Sequence, residues 1–513
     1  IQKSLDQYLE TKRMSFPRFY FVSDDDLLEI LGKSREPVQI QKHIKKCFEG
    51  VQMMKLLSSG CKHLASGVVS PDGEELAFVN NITLEGPIEL LFVELLKSVK
   101  VAVQYALSRC LQGFKKSKKE TWVKEWHGQL IITSGAIAWT SSCMNALSLI
   151  SSGKDKHALR TIKKKQVSYL RRLTTLVRDP KFQRIDRMKT VALITMEIHN
   201  RDVIEKLAKS GCSDHQDFAW LSQLRFFFDK EEGAYGACHV RQTNCKLPYS
   251  NEYQGNNGRL VVTPLTDRCV LTLLTAMFLC RGGNPLGPAG TGKTETVKDL
   301  SKNLAQYCVV SNCSDGMDYK SVGRIFSGLC QAGCWGCFDE FNRIKIEVIS
   351  VVAMQVLSIF NALRSKQSTF SFMGCIIPCS PETGIFITMN PGYAGRTELP
   401  DNLKALMRPV AMMTPDLNLI AEVMLAAEGF NDARLLAKKT ITLYSLMQQQ
   451  LSKQDHYDYG LRNLKAVLNM AGKLKRDDAS MDEELILMKA LRDMNLPKFI
   501  NEDLRLFQLL LGD

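Results

Sequence analysis

At 513 residues the chain is longer than one hydrophobic core organises, so two or three domains are expected. Its 45% hydrophobic and 24% charged residues are those of a globular protein, and no uninterrupted apolar run reaches the roughly 18 residues that span a bilayer, so no membrane partner is expected. The net charge of +13 would suit an acidic polymer, but the basic clusters Lys115-Lys116-Ser117-Lys118-Lys119 and Lys163-Lys164-Lys165 lack interleaved aromatics; they read as solvated surface, and no nucleic acid is expected.

The chain opens without Met and without a signal-like segment, and is expected to be cut from a longer one. Residues 1–225 read mostly as helices. Apolar residues recur at three- and four-residue spacing over 88–111 and 157–177, with turn-like Ser70-Pro71-Asp72-Gly73 and Asp179-Pro180 between segments. Nothing in this part resembles a catalytic constellation, so periodicity supports a helical arm or scaffold. From 224 to 248 the chain becomes aromatic and β-like. Residues 236–415 then alternate strand and helix, which predicts a parallel sheet with helices on both faces. Within them, 370–378 reads as a hairpin ahead of a strand at 385–388. From Asp416 the pattern is helical over 417–427, 433–451, 461–474 and 482–491, predicting a small helical subdomain over 416–513.

The chemistry is concentrated in Gly287-Pro288-Ala289-Gly290-Thr291-Gly292-Lys293-Thr294, which satisfies G-x-x-x-x-G-K-[ST] at every position. Gly287, Gly290 and Gly292 let the backbone wrap around phosphate, and a helix opening after Gly292 adds its unsatisfied N–H groups to the cradle. Lys293 is expected to reach the β- and γ-phosphates, Thr294 to ligate Mg²⁺, and Glu295 to open an amphipathic run carrying Val297, Leu300 and Leu304 on one stripe. The ligand so described is ATP or ADP with Mg²⁺. Downstream, Cys334-Trp335-Gly336-Cys337-Phe338-Asp339-Glu340 is an apolar, strand-like run ending in two carboxylates. Asp339 is placed to hold Mg²⁺ and Glu340 to polarise the attacking water. A third β-rich run, Gly384-Ile385-Phe386-Ile387-Thr388-Met389-Asn390, puts Asn390 where ligands gather off the carboxyl ends of parallel strands; a turn role before Pro391-Gly392 is compatible with it. The sixteen cysteines read as free, mostly buried thiols. Cys334 and Cys337 point to opposite faces of a strand, which disfavours zinc.

Together these runs resemble an AAA+ module, and their wording is similar to the first such module of dynein heavy chains. The resemblance is carried by Gly287 to Thr296, Asn312-Cys313-Ser314, Cys337-Phe338-Asp339-Glu340-Phe341-Asn342-Arg343, Ile387-Thr388-Met389-Asn390-Pro391-Gly392-Tyr393-Ala394-Gly395-Arg396 and Leu260 to Arg268. Phe16-Pro17-Arg18-Phe19-Tyr20-Phe21 and Asp25 to Leu31 look like the dynein linker, so 1–225 is expected to be its C-terminal part and 416–513 the lid of the module. Ser314 to Lys320 and Gln454 to Arg462 look more axonemal than cytoplasmic, with an inner-arm type preferred. The resemblance further implies that Arg462 is a sensor for the γ-phosphate, that Pro264 and Leu265 lie beside adenine, and that Arg408 serves a preceding neighbour's site. It implies as partners the following AAA+ modules of the same chain, a microtubule reached through a distal stalk, and dynein intermediate and light chains, within an axoneme. A midasin-like remodelling ATPase and a non-hydrolysing nucleotide-binding scaffold are the alternatives.

Overall fold

The computed structural model describes residues 2–32, 37–59, 62–179, 181–256, 258–391, 398–478 and 481–512. Pro180, the 392–396 stretch of the quoted run and Asp513 lie outside them. Two compact units are formed: one from Ile1–Ser142, His215–Asn257 and Thr266–Met413, the other from Cys143–Asp214, Gly258–Leu265 and Thr414–Asp513.

In the first unit the N-terminal part is not helical throughout. Helices Gln2–Ser15, Asp24–Gly32 and Pro37–Cys47 lead into an antiparallel sheet of β1 (Met53–Ser59), β2 (Lys62–Val69) and β3 (Glu75–Thr83). Ser70-Pro71-Asp72-Gly73 turns this sheet rather than separating helices: Gly73 N donates to Ser70 O at 3.0 Å and Ser70 N to Glu74 O at 2.8 Å. β3 buries Leu76, Phe78 and Ile82 while exposing Glu75 and Ala77, a strand period that helical spacing misses. The expected helices at 88–111 and 157–177 run as Ile88–Lys116 and Ala158–Arg178. The β-like stretch forms a second antiparallel sheet of β4 (Arg225–Asp229), β5 (Ala237–Gln242) and β6 (Cys245–Pro248).

The α/β module carries five parallel strands, β7 (Gly282–Leu286), β8 (Cys308–Asn312), β9 (Trp335–Asp339), β12 (Gly384–Ile387) and β13 (Met407–Ala411), in the order β13-β7-β12-β9-β8. Between β9 and β12 lies the expected hairpin, β10 (Thr369–Phe372) with β11 (Cys375–Pro378). The chain steps from β7 to the far edge at β8, then returns one strand at a time to β9 and β12. Right-handed crossovers therefore put helix Lys293–Asn303 on one face and helices Tyr319–Ala332 and Ile346–Arg364 on the other. The second face closes a core of Val322, Phe326, Val352, Val356, Ile359, Phe338, Ile385 and Ile387. Ile346–Arg364 and Gly128–Ser151 are long and apolar enough to cross a membrane, but Ile346–Arg364 places its buried residues in that core.

The N-terminal segment is locked to this module. Arg18, in the 3-10 turn Pro17–Phe21, donates through both terminal nitrogens to Glu252 at 2.7 Å each and to Cys47 O at 3.0 Å. Its guanidinium lies 4.3 Å from the Tyr307 ring centroid.

The second unit is helical: Ala158–Arg178 and Arg184–Lys209, then Leu417–Ala427, Ala433–Gln450, Leu461–Asp477, Glu483–Asn495 and Asn501–Gly512. Leu425, Leu436, Met447, Leu468, Ile486 and Phe507 lie in one buried cluster. Asp416 caps Leu417–Ala427 by accepting from Asn418 N and Leu419 N.

Candidate nucleotide site

Parallel pairing brings the carboxyl ends of the strands to one edge, with Asn312 opposite Asp339, Phe338 opposite Ile387, and Ala411 opposite Leu286. The glycine loop leaves β7 at this edge and ends where helix Lys293–Asn303 begins. Gly290 and Gly292 have φ of 78° and 82°, and a Cβ on either would stand in open space. That space is the concavity an anion needs, lined by backbone N–H groups at a helix start. Gly287 is glycine for another reason: a Cβ there would lie 1.9 Å from Met412 O. Lys293, buried, folds back on the loop, donating to Gly287 O at 2.9 Å and Pro288 O at 2.6 Å. Thr291 Oγ1 donates to Pro288 O at 3.0 Å. Pro288, Ala289 and Glu295 are exposed, and Glu295 pairs with Lys298 at 3.1 Å.

Asp339 ends β9 facing the loop. Its Oδ1 accepts from Thr294 Oγ1 at 2.8 Å and also from Thr388 Oγ1. A hydroxyl and a carboxylate of adjoining elements thus converge, and hard oxygen donors of this kind fit Mg²⁺. The next residue leaves the sheet abruptly: Glu340 has φ 52° and ψ 44°, the left-handed region rarely taken by a residue with a side chain. Its N–H donates to Thr388 Oγ1 at 3.2 Å, and its Oε1 accepts from Asn390 Nδ2 at 3.2 Å. Arg343 Nε meets its Oε2 at 2.5 Å. Asn342 Nδ2 donates to Asn390 O at 3.2 Å, tying the two chain ends together. Burial, with the charges of Asp339 and Glu340 adding, pushes the nearby Cys313 thiol up to about 12, so it stays protonated beside the carboxylates. Cys334 and Cys337 are buried too, and among the described residues no cluster of metal-ligating side chains forms around them.

The fold therefore gathers the 287–294 loop, Asp339, Glu340 and Asn390. Arg462 is exposed as the second residue of helix Leu461–Asp477, in the second unit. Pro264 and Leu265 also belong to that unit, and they open helix Pro264–Phe278; Pro suits the first helical position. Arg408 is exposed on the edge strand β13, opposite Gly283. Two contributors escaped the sequence reading. Thr388 joins Asp339 to the Glu340 backbone, and its only signal was a hydroxyl inside an otherwise apolar run. Arg343 stands three residues after Glu340, where a tight turn returns it to the carboxylate.

Comparison with known proteins gives this geometry a family. The family model described as the hydrolytic ATP binding site of dynein motor region matches residues 249–513, and that described as dynein heavy chain, N-terminal region 2, matches residues 1–110. The chain belongs to the dynein heavy chains. Over 517 residues it is 53% identical to the Dynein-1-beta heavy chain, flagellar inner arm I1 complex, of Chlamydomonas reinhardtii, covering 100% of this chain and 11% of that one. Over 518 residues it is 52% identical to the Dynein axonemal heavy chain 2 of Homo sapiens, covering 100% and 12%. Dynein axonemal heavy chain 1 of Mus musculus is 47% identical over 513 residues, covering 100% and 12%. The chain thus spans only 11–12% of the length of these curated relatives. Within this family, the site described above lies in the ATP-binding module.

Proposed function

We propose that this module hydrolyses ATP with Mg²⁺ as the first AAA+ module of an axonemal dynein heavy chain, and that 1–225 is the C-terminal part of its linker. One observation carries the reading: Thr294, Asp339 and Thr388 share a hydrogen-bond chain that reaches the Glu340 backbone, while Asn390 holds the Glu340 carboxylate. The loop N–H groups and Lys293 would bind the phosphates. Thr294 and Asp339 would hold Mg²⁺, which neutralises phosphate charge. Glu340 would take the proton of the attacking water, with Asn390 orienting it.

The 416–513 helices would be the lid, bringing Arg462 to the γ-phosphate, and Pro264 and Leu265 would flank adenine. Arg408 would serve a preceding neighbour's site, and a following module would complete this one. Turnover would then drive linker swing in a minus-end-directed motor reaching a microtubule through a distal stalk, with intermediate and light chains as partners. The flagellar and axonemal relatives place the chain in the cytoskeleton of a cilium or flagellum, and 53% identity to an inner-arm chain supports that type.

The test uses the complete heavy chain. Lys293→Ala abolishes nucleotide binding, whereas Glu340→Gln binds ATP without turning it over; normal phosphate release by Glu340→Gln would falsify the assignment. The 513-residue chain alone turns over far more slowly than the complete one, and equal rates would refute completion by a neighbour.

A further inference from the structure

The turn after β9 is fastened at four points. Glu340 N donates to Thr388 Oγ1 at 3.2 Å, Phe341 N to Thr388 O at 3.0 Å, Asn342 Nδ2 to Asn390 O at 3.2 Å, and Arg343 N to Glu340 O at 2.9 Å. Phe341, 1% exposed, anchors the turn in the module's core. The Glu340 backbone is thereby fixed, but its carboxylate hangs on three rotatable bonds. Two groups hold it, Asn390 Nδ2 donating to Oε1 at 3.2 Å and the Arg343 guanidinium paired through Nε with Oε2 at 2.5 Å. The second is an ion pair, so it draws the carboxylate toward Arg343.

We infer that Arg343 is a positioning residue for Glu340, a role that rests on the hydrolytic reading above. With the Asn390 amide on Oε1 and the Arg343 guanidinium beside Oε2, the carboxylate is held between a hydrogen bond and an ion pair. Removing Arg343 takes the charged partner off Oε2 and loosens the direction of the carboxylate, and a base displaced by about 1 Å loses much of its effect. Both partners are partly exposed, at 49% and 30% of their side chains, so the pair acts by geometry and contributes little to stability. Because Arg343 belongs to the same turn as Glu340, this alignment is built into the module and does not wait for a neighbouring one.

The experiment compares Arg343→Ala, Arg343→Lys, Arg343→Gln, Glu340→Gln and the double variant Glu340→Gln/Arg343→Ala in the complete heavy chain. Steady-state phosphate release and binding of a fluorescent ADP are measured on each. Arg343→Ala lowers kcat about tenfold or more, with KM and ADP affinity within about twofold of the unsubstituted motor. Arg343→Lys, which keeps a charged donor, recovers part of the rate, and Arg343→Ala adds nothing in the Glu340→Gln background. Should Arg343→Ala fail to fold, Arg343→Gln, which keeps a neutral donor, gives an intermediate kcat at unchanged ADP affinity. An unchanged or raised kcat, a matching loss of ADP affinity, or a further loss on top of Glu340→Gln overturns the role. Failure of the underlying reading looks different: Glu340→Gln itself then turns over normally. An inactive Glu340→Gln beside a fully active Arg343→Ala removes the role of Arg343 alone.

Discussion

Arg18→Ala tests how the N-terminal segment is held to the α/β module. The Arg18 and Glu252 side chains are 4% and 3% exposed, so neither charge has water to fall back on. Burial works against the guanidinium charge, yet the charge and hydrogen bonds of Glu252 outweigh it and lift Arg18 well above its usual range, so Arg18 stays charged. Truncating one member leaves the other charge buried and uncompensated, a cost of about 3–5 kcal/mol. Packing against Tyr307 at 4.3 Å and Phe48 at 5.2 Å is lost with it. The effect should be local, because the turn Pro17–Phe21 packs on helix Tyr319–Ala332. Hydrogen exchange is the suitable assay, since unfolding of a chain with two compact units is not a single transition. Protection in those two elements should fall by roughly two to three and a half orders of magnitude, while helices Leu461–Asp477 and Glu483–Asn495 keep theirs. Arg18→Met with Glu252→Leu, which removes both charges and keeps apolar volume, should restore most of the protection. The reasoning fails if Arg18→Ala leaves protection unchanged, or if the double variant is as open as the single one.

Gly287→Ala forces a Cβ to within 1.9 Å of Met412 O, so the loop or β13 must shift and nucleotide affinity collapses. Gly290→Ala meets open space and pays only the left-handed backbone cost of about 1–2 kcal/mol; titration with labelled ADP should rank it milder, and the reverse ranking would refute the steric account. Thr388→Val strips the Glu340 N–H of its acceptor and Asp339 of a donor, an effect of about 1–3 kcal/mol, so turnover should drop with ATP still bound. Arg13, assisted by Arg324, holds the Asp24 carboxyl below its ordinary value of 3.8 despite partial burial. A carboxyl depressed in the folded state stabilises it above that value and loses the contribution as pH falls through the lower folded one. Below about pH 4 the native chain should therefore lose stability more steeply than Asp24→Asn; parallel acid limbs in urea titrations would contradict this.

What could be read in advance follows the range of the interactions. The loop at 287–294 was legible because its chemistry is local: glycines at set intervals, then Lys-Thr. Asp339 and Asn390 were legible because each ends a short apolar run, and parallel pairing sends all such ends to one edge. The hairpin β10–β11 and the helices from 417 onward followed from their periods. The sheet β1–β3 was missed because β2 and β3 have register irregularities and mix small and polar residues, blurring the two-residue alternation. Thr388 and Arg343 were in view as letters, but their roles depend on a turn geometry that spacing does not specify. The Arg18–Glu252 pair spans 234 residues, and no pattern within either segment announces the other.

The same pair bears on how rigidly the N-terminal segment is held. Residues from the N-terminal helices through β3 belong to one compact unit with the five-stranded sheet, joined by a desolvated ion pair and by aromatic rings rather than by a tether. A displacement of that sheet would therefore be felt at Phe16 and Tyr20 through close-packed atoms. In mechanical terms this stretch is a clamp that fastens residues 16–20 to the α/β module.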